Sequence, residues 1–288
     1  MDPLQILKRY NIRPSKGLGQ NFLISQRAFD CILEAAELSL ADTVLEVGPG
    51  IGSLTQRLAD GAGQVVAVEL DRKMLAVLEE TLTGRDNVRL VQGDFLELDP
   101  VATLREALSL AEDAPLSFKL VANLPYYITS AALRHALTAS VRPERLVVML
   151  QRDVARRIVA ADGKMSLLAV SVQVFGDPEI VCTVPAGAFM PPPKVDSAVL
   201  RVVLHEEPRV PEEELDAFFA VVRAGFREKR KQLHNSLTRN LPHGREEVDD
   251  ALRAAGVEPT RRAETLSIDE WRRLTEALGG EAPCIASA

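Results

Sequence analysis

Between residues 43 and 204 the chain alternates short, apolar, β-rich runs with helical patterns, and this rhythm limits the fold more than any other feature. Residues 43–47, 64–70, 88–92, 118–122 and 145–150 read as buried strands. Helical patterns over 54–59, 72–82, 101–111, 131–139 and 154–160 separate them. Strands joined through helices form a parallel sheet covered on both faces. Two further apolar runs, 167–175 and 179–184, and an alternating run, 197–204, follow with no helix between them. These late runs predict strands forming an antiparallel edge. Composition shifts at His205-Glu206-Glu207-Pro208-Arg209-Val210-Pro211, and everything beyond reads as helical. The expected architecture is an α/β sheet with helices on both faces over 1–207. A small all-helical domain follows over 208–278, with a disordered tail over 279–288.

Composition narrows the function classes. The chain has 288 residues, 47% hydrophobic and 26% charged, and no uninterrupted apolar run long enough to cross a bilayer. Residues 1–16 lack a basic segment followed by an apolar core, so no signal peptide is expected. Cys31, Cys182 and Cys284 are few, odd in number and far apart. They point to a reducing, cytoplasmic setting with no disulfide framework and no cysteine zinc site. No His, Cys or carboxylate cluster has the spacing for a metal or a catalytic triad, so no metal is expected. A net charge of −7 argues against a nucleic-acid partner unless a basic surface is concentrated locally.

Two stretches offer such a surface. Arg223, Arg227, Lys229, Arg230, Lys231 and Arg239 crowd the start of the helical domain against only Glu228. On one helix, Phe219, Val222, Phe226, Leu233 and Leu237 make an apolar stripe beside them. Arg152, Arg156 and Arg157 follow the fifth strand, where they suit phosphates leading into a site. A solvated helix face is the ordinary alternative for such charge runs.

The chemistry-bearing motifs sit at strand ends. Val44-Leu45-Glu46-Val47-Gly48-Pro49-Gly50-Ile51-Gly52 is a strand, a glycine turn and a helix start. Its GxGxG spacing differs from the GxGxxG dinucleotide fingerprint. The next strand ends at Val68-Glu69-Leu70-Asp71, about 20 residues on, where an acid suits ribose hydroxyls. The third ends at Gln92-Gly93-Asp94-Phe95, an acceptor for an adenine amino group beside an apolar wall. Each piece also fits an ordinary turn or a solvated acid. Together they predict a crevice for an adenosine ligand, and without a pyrophosphate loop the better fit is S-adenosylmethionine.

The fourth strand ends unusually, in Val121-Ala122-Asn123-Leu124-Pro125-Tyr126-Tyr127. The Asn123 amide oxygen and the Leu124 or Pro125 carbonyl can accept hydrogen bonds from an exocyclic amino group. Tyr126 can stack on one face of the base that carries it, and Phe189 on the other. The same residues would also serve a strand, a proline turn and tyrosines packed in a core. For Phe189 a core aromatic beside the proline-rich loop fits equally well.

In order along the chain, these motifs resemble the KsgA/RsmA family of small-subunit rRNA adenine dimethyltransferases. The likeness runs from Lys16 to about Leu278. It is carried by Gly19-Gln20-Asn21-Phe22-Leu23, the GxGxG turn, Glu69, Gly93-Asp94 and Asn123-Leu124-Pro125-Tyr126-Tyr127-Ile128. Phe189-Met190-Pro191-Pro192-Pro193-Lys194-Val195-Asp196-Ser197 and Phe226-Arg227-Glu228-Lys229-Arg230-Lys231-Gln232-Leu233 continue it. Pro259-Thr260-Arg261-Arg262-Ala263-Glu264-Thr265-Leu266-Ser267 completes it. The resemblance implies a Rossmann-like S-adenosylmethionine-dependent methyltransferase domain whose segment 1–24 contacts cofactor or substrate, and a helical RNA-binding domain. It assigns cofactor contacts to Asn21, Leu23, Gly48, Gly50, Glu69, Asp94 and Asn123. It implies dimethylation of two adjacent adenosines in the 3′-terminal hairpin of 16S rRNA. It points to a monomer acting on a partly assembled 30S-type particle late in biogenesis. A large-subunit methyltransferase of the macrolide-resistance type shares the pocket logic, and a non-catalytic ribosome-assembly factor shares the fold. One departure is plain. Where the family carries a Gly-x-x-Tyr-Gly-x-Leu-Ser-like stretch, this chain reads Asp162-Gly163-Lys164-Met165-Ser166-Leu167-Leu168, without the Tyr-Gly pair.

Overall fold

The parallel-sheet pattern is realised in a seven-stranded sheet whose strands lie in the order 88–92, 64–69, 43–47, 119–123, 145–151, 197–204 and 176–184. The structure is a computed structural model and describes residues 3–279 apart from Lys16, Leu18 and Asp162. The tail expected beyond Gly279 lies outside the described residues. Two compact units emerge. One holds the residues up to Ala155 together with Asp177–Leu204. The other holds Arg156–Gly176 and the chain from His205. The first unit is thus discontinuous, unlike the continuous expectation of 1–207 followed by 208–278.

The first unit opens with α1 (Pro3–Arg9), β1 (Phe22–Leu23) and α2 (Gln26–Ala36). The βα alternation then runs through β2 (Thr43–Val47), α3 (Ser53–Gly61), β3 (Gln64–Glu69), α4 (Arg72–Thr81) and β4 (Val88–Gln92). It continues through α5 (Pro100–Ala107), β5 (Lys119–Asn123), α6 (Thr129–Leu137), β6 (Arg145–Gln151) and α7 (Arg152–Ile158). Strands β2, β3, β4, β5 and β6 pair in parallel. Val44, Leu45, Val65, Val66, Leu120, Val121, Val147 and Val148 are buried, as a sheet covered on both faces requires. Each such side chain contributes roughly 1.5–3 kcal/mol by leaving water. Phe29 and Ile32 of α2 pack with Leu58 of α3, Val121, Val147 and Val199. Asp71 and Asp99 start α4 and α5 by accepting the Lys73 and Ala102 N–H groups.

The antiparallel edge is present, but one of its elements is a helix. After α8 (Leu167–Gln173) come β7 (Gly176–Val184), β8 (Phe189–Met190) and β9 (Ser197–Leu204). Strand β9 runs antiparallel to β6, from Arg145↔Val203 to Gln151↔Ser197. The run 167–175 was expected as a strand and is instead α8. A short apolar run has no period to separate the two states. The Ser166 hydroxyl decides the matter by accepting the Ala169 N–H at 3.1 Å. Strand β8 pairs with β1, Phe22↔Met190 and Leu23↔Phe189, in a small sheet of its own. The cysteine expectation also needs correction. Cys31 of α2 and Cys182 of β7 are joined in a disulfide with Cα atoms 6.8 Å apart. Their separation of 151 residues hid this, because sequence distance says nothing about spatial distance.

In the second unit, α9 (Leu215–Phe226), α10 (Leu233–Asn240), α11 (Arg245–Ala254) and α12 (Ile268–Ala277) enclose Trp271, Phe218, Leu237, Leu252 and Leu274. Residues 223–231 do not form the single helix expected. Helix α9 stops at Phe226, the segment 227–232 turns, and α10 begins at Leu233. Arg227 and Lys231 at i,i+4 would repel in a helix. The turn closes through Lys231 N–H to the Glu228 carbonyl, and Leu233 N–H then donates to the Arg261 carbonyl at 2.7 Å. Gly225 faces the indole: a Cβ there would lie 2.3 Å from Trp271 Cη2. Exposed helical Gly→Ala changes normally stabilise. Gly225→Ala is predicted to do the opposite and cost about 1–3 kcal/mol by overpacking. Urea unfolding would reveal the sign, and a stabilised variant would contradict the packing described.

Candidate active site

The sheet's strand order reverses between β2 and β5, whose neighbours lie on opposite sides. At such a switch point the loops beyond the carboxyl ends diverge and leave a crevice. A cavity of about 210 Å³ opens there, within the first unit. Gly48 and Gly50 from the end of β2, Glu69 from β3, Asp94 from beyond β4 and Asn123 from β5 all line it.

The glycine turn has positive φ at Gly48, Gly50 and Gly52, at 69°, 58° and 79°, which only glycine adopts without strain. Glu69 ties this turn down. Its Oε2 accepts the Gly50 N–H at 3.1 Å and its Oε1 the Asp71 N–H at 2.8 Å. At 7% exposure the carboxylate sits in the cavity wall, and each oxygen retains a second lone pair for a ligand hydroxyl. Burial pushes its pKa up, and the Asp71 and Gly50 N–H groups push back. Asp94 Oδ1 accepts the Leu96 N–H at 2.9 Å, and Phe95 is buried beside it.

Opposite lies the Asn123 corner. The Asn123 amide nitrogen donates to the Asn21 carbonyl at 3.3 Å, so the N-terminal segment orients it. Its Oδ1 is left facing the cavity with no hydrogen-bond partner among the described residues. The Pro125 carbonyl is occupied by the Ile128 N–H at 3.2 Å and the Thr129 hydroxyl at 3.4 Å. The Leu124 carbonyl has no such partner among the described residues. Of the two carbonyls the sequence left open, Leu124 is the one available. Tyr126 is half-buried, its hydroxyl 2.7 Å from Ser197 Oγ. Phe189, 3% exposed, belongs both to the core around Leu23 and Phe29 and to the cavity wall.

A strand-end glycine turn, two acids and an amide-proline-tyrosine corner in one crevice make a class of protein that comparison with known chains identifies. The family model for "Ribosomal RNA adenine dimethylase" matches residues 11–279. The chain belongs to that family. The "Ribosomal RNA small subunit methyltransferase A" of Dehalococcoides mccartyi strain CBDB1 is 46% identical over 280 residues, covering 97% of this chain and 93% of the relative. The protein of that name from Moorella thermoacetica is 43% identical over 277 residues, covering 96% of each. Among solved structures, the 23S rRNA methyltransferase ErmE is 34% identical with a TM-score of 0.69, covering 90% of this chain and all of that one. A dimethyladenosine transferase from Plasmodium falciparum shares the fold, with a TM-score of 0.72 at 24% identity over 88% of this chain and 95% of that one. As a member of the rRNA adenine dimethylase family, the chain is an S-adenosylmethionine-dependent rRNA adenine dimethyltransferase.

The cavity suits that cofactor on its own chemistry. Beyond the hydroxyl and amino-group acceptors, it contains a buried carboxylate the sequence reading did not single out. Glu46 of β2 is 1% exposed, lines the cavity, and its Oε2 lacks a hydrogen-bond partner among the described residues. An orphaned buried acid at the wall is neutral while the crevice is empty of charge, and a cationic ligand beside it would favour its ionised form. Its signal was present in the sequence as an acid interrupting the apolar run Val44-Leu45-Glu46-Val47. Burial pushes the Glu46 carboxyl up to about 8, with nearby Thr55 offsetting this in part and the Glu69 charge adding to it.

The predicted basic residues are placed as follows. Arg152 is not a free cation: its Nη1 pairs with Asp196 Oδ2 at 2.8 Å. Arg156 and Arg157 are exposed on α7. Arg223, Arg227, Lys229, Arg230 and Lys231 are exposed in the second unit, and Arg239 pairs with Glu228. Within the departing stretch, Met165 is buried and its N–H donates to the Glu264 carbonyl at 2.9 Å. Among the described residues, no group of three or more His, Cys, Asp or Glu could hold a metal.

The raised Glu46 pKa sets a stability prediction. The native carboxyl keeps a proton that the unfolded chain, near its ordinary value of 4.5, has lost. Stability therefore falls as pH rises from about 4.5 to about 8, and levels off above. Each pKa unit is worth about 1.4 kcal/mol. Urea unfolding at pH 5.5 and pH 9 should show the wild type losing a few kcal/mol more than Glu46→Gln over that interval. Equal losses would contradict a neutral, buried Glu46.

Proposed function

We propose that the protein transfers methyl groups from S-adenosylmethionine to the N6 amino groups of two adjacent adenosines in the 3′-terminal hairpin of 16S rRNA. It would act as a cytoplasmic monomer on a partly assembled small subunit, late in its biogenesis. The observation that carries the chemistry is the pair of unpartnered acceptors at the Asn123 corner, Asn123 Oδ1 and the Leu124 carbonyl. Relatives called small-subunit methyltransferases, 42–46% identical, favour this target over the large-subunit alternative, for which ErmE stands at 34%. A non-catalytic assembly factor would be expected to have lost acceptors at the cofactor wall, and Glu69, Asp94 and the glycine turn are all in place.

The cofactor supplies an activated methyl group on a sulfonium. The chain's residues do the rest. Glu69 and Asp94 hold the ribose hydroxyls and the adenine amino group, Gly48 and Gly50 let the backbone approach, and Asn21 and Leu23 close the crevice. The substrate adenine must leave its stack to enter. Its amino nitrogen is a poor nucleophile because the lone pair is delocalised into the ring. Asn123 Oδ1 and the Leu124 carbonyl accept its two N–H groups and turn the lone pair toward the methyl. Tyr126 and Phe189 sandwich the ring, with Pro125 shaping the corner. Catalysis is positioning and electrostatics, with no covalent enzyme intermediate. The proton released passes to solvent, since an amide oxygen is no base.

RNA docking is assigned to Arg156, Arg157, Arg223, Arg227, Lys229, Arg230 and Lys231. Arg152 would join them only by exchanging Asp196 for a phosphate. Exposed like charges at 227–231 invite phosphates, and each contact adds salt dependence through counterion release.

Transfer of tritiated methyl to small subunits lacking the modification, with mapping of the labelled bases, tests the function. Label in two adjacent adenosines of the hairpin is expected. Label in 23S rRNA instead would favour the macrolide-resistance type, and no label the non-catalytic factor. Asn123→Ala is predicted to lower single-turnover methylation roughly 10²- to 10³-fold while RNA still binds, and a normal rate would remove the acceptor role. Changing Arg227, Arg230 and Lys231 to Glu is predicted to weaken subunit binding and flatten its salt dependence. Cofactor affinity and thermal stability should hardly move, because exposed charges contribute little to folding. Filter binding across several salt concentrations checks this, and unchanged affinity at every salt would leave a merely solvated surface.

A further inference from the structure

Strand β9 begins with a residue that no motif reasoning assigned a task. Ser197 is wholly buried, at 0% exposure, and its Oγ lies 2.7 Å from the Tyr126 hydroxyl. Tyr126 sits in the turn between β5 and α6, with no sheet neighbour to clamp its ring. The hydroxyl oxygen of a tyrosine lies on the axis of its terminal torsion, so a contact there fixes the direction of the ring's long axis and with it the place the ring occupies. Ser197 provides that contact from the rigid side, since its backbone is locked against Gln151 in the β6–β9 register.

The residue before it reaches toward the other aromatic wall. Asp196 Oδ1 accepts the Ala186 N–H at 3.2 Å, at the start of the 3-10 turn Ala186–Ala188 that leads directly into Phe189. Its Oδ2 and its carbonyl hold Arg152, at 2.8 Å and 3.0 Å. Two consecutive residues therefore anchor both candidate walls of the base pocket, one through a hydroxyl and one through a turn.

We propose that Ser197 is a positioning residue for methyl transfer, fixing the direction of the Tyr126 ring axis so that the ring is in place before the base arrives. This rests on the reading of Tyr126 as a base-stacking wall.

The test is a double-mutant cycle on single-turnover methylation with Ser197→Ala, Tyr126→Phe and the double variant, with Tyr126→Ala alongside. Each single variant removes the same hydrogen bond and keeps the ring. Each should lower the rate roughly three- to tenfold, and the double variant no further than either single. A substrate with 2-aminopurine at the target position should show shallower fluorescence quenching with Ser197→Ala, at unchanged S-adenosylmethionine affinity. A wild-type rate for Ser197→Ala, or losses that multiply in the double variant, overturns the proposal. Should Ser197→Ala fail to fold, Tyr126→Phe alone decides, because a wild-type rate there means the hydroxyl bond positions nothing. A wild-type rate for Tyr126→Ala instead overturns the stacking reading beneath it.

Discussion

The Glu69 carboxylate is the joint on which the first unit's chemistry turns. One oxygen holds the Gly50 N–H of the glycine turn, the other the N–H of Asp71. Asp71 in turn caps α4 through Lys73 and receives the Gln20 side chain at 3.2 Å. The residue after Gln20 is Asn21, whose carbonyl orients the Asn123 amide. A single strand-end acid thus links the glycine turn, the start of a helix, the N-terminal segment and the Asn123 corner across the crevice. The arrangement keeps a carboxylate nearly buried against its own desolvation, offset by backbone donors. Buried acids of this kind cluster at functional sites because only a ligand repays their cost in full.

The second constraint comes from the antiparallel end of the sheet. Strand β8 does not extend the main sheet but pairs with β1, so Phe189 faces Leu23 of the segment that also carries Asn21. Strand β9 returns beside β6 and places Asp196 and Ser197 at its start, next to the α7 start and the Tyr126 turn. The parallel half therefore carries Asn123 and Tyr126, and the antiparallel half carries Phe189 together with Ser197 and Asp196.

Strands β3, β5 and β6 were legible because a strand covered on both faces writes itself as an apolar run, whereas 88–92, expected as a buried strand, is the half-exposed edge strand β4, as Arg89 and Gln92 allow. The glycine turn, Glu69, Asp94 and Asn123 were legible because strand order alone brings carboxyl ends together. What was hidden has physical reasons. The run 167–175 carried no period, and a serine cap made it a helix. The cations at 227–231 sit in a turn that closes on the Glu228 carbonyl and hands Leu233 N–H to the Arg261 carbonyl, a long-range bond that the apolar stripe does not show. The choice between the Leu124 and Pro125 carbonyls depended on which one the following turn consumes, and Ile128 and Thr129 consume Pro125. Cys31 and Cys182 meet only because α2 and β7 are folded against one another. Glu46 was visible as an acid in an apolar strand, yet only its unpartnered oxygen marks it as part of the site.

Calorimetric titration of S-adenosylmethionine into Glu69→Ala bears most directly on this account. With the wild-type circular dichroism retained, the variant should bind more weakly by about 1–3 kcal/mol, the cost of losing a charged hydrogen-bonding partner and the anchor of the turn. Unchanged affinity would contradict it, since neither the ribose contact nor the tie between the glycine turn and β3 would then matter to the cofactor.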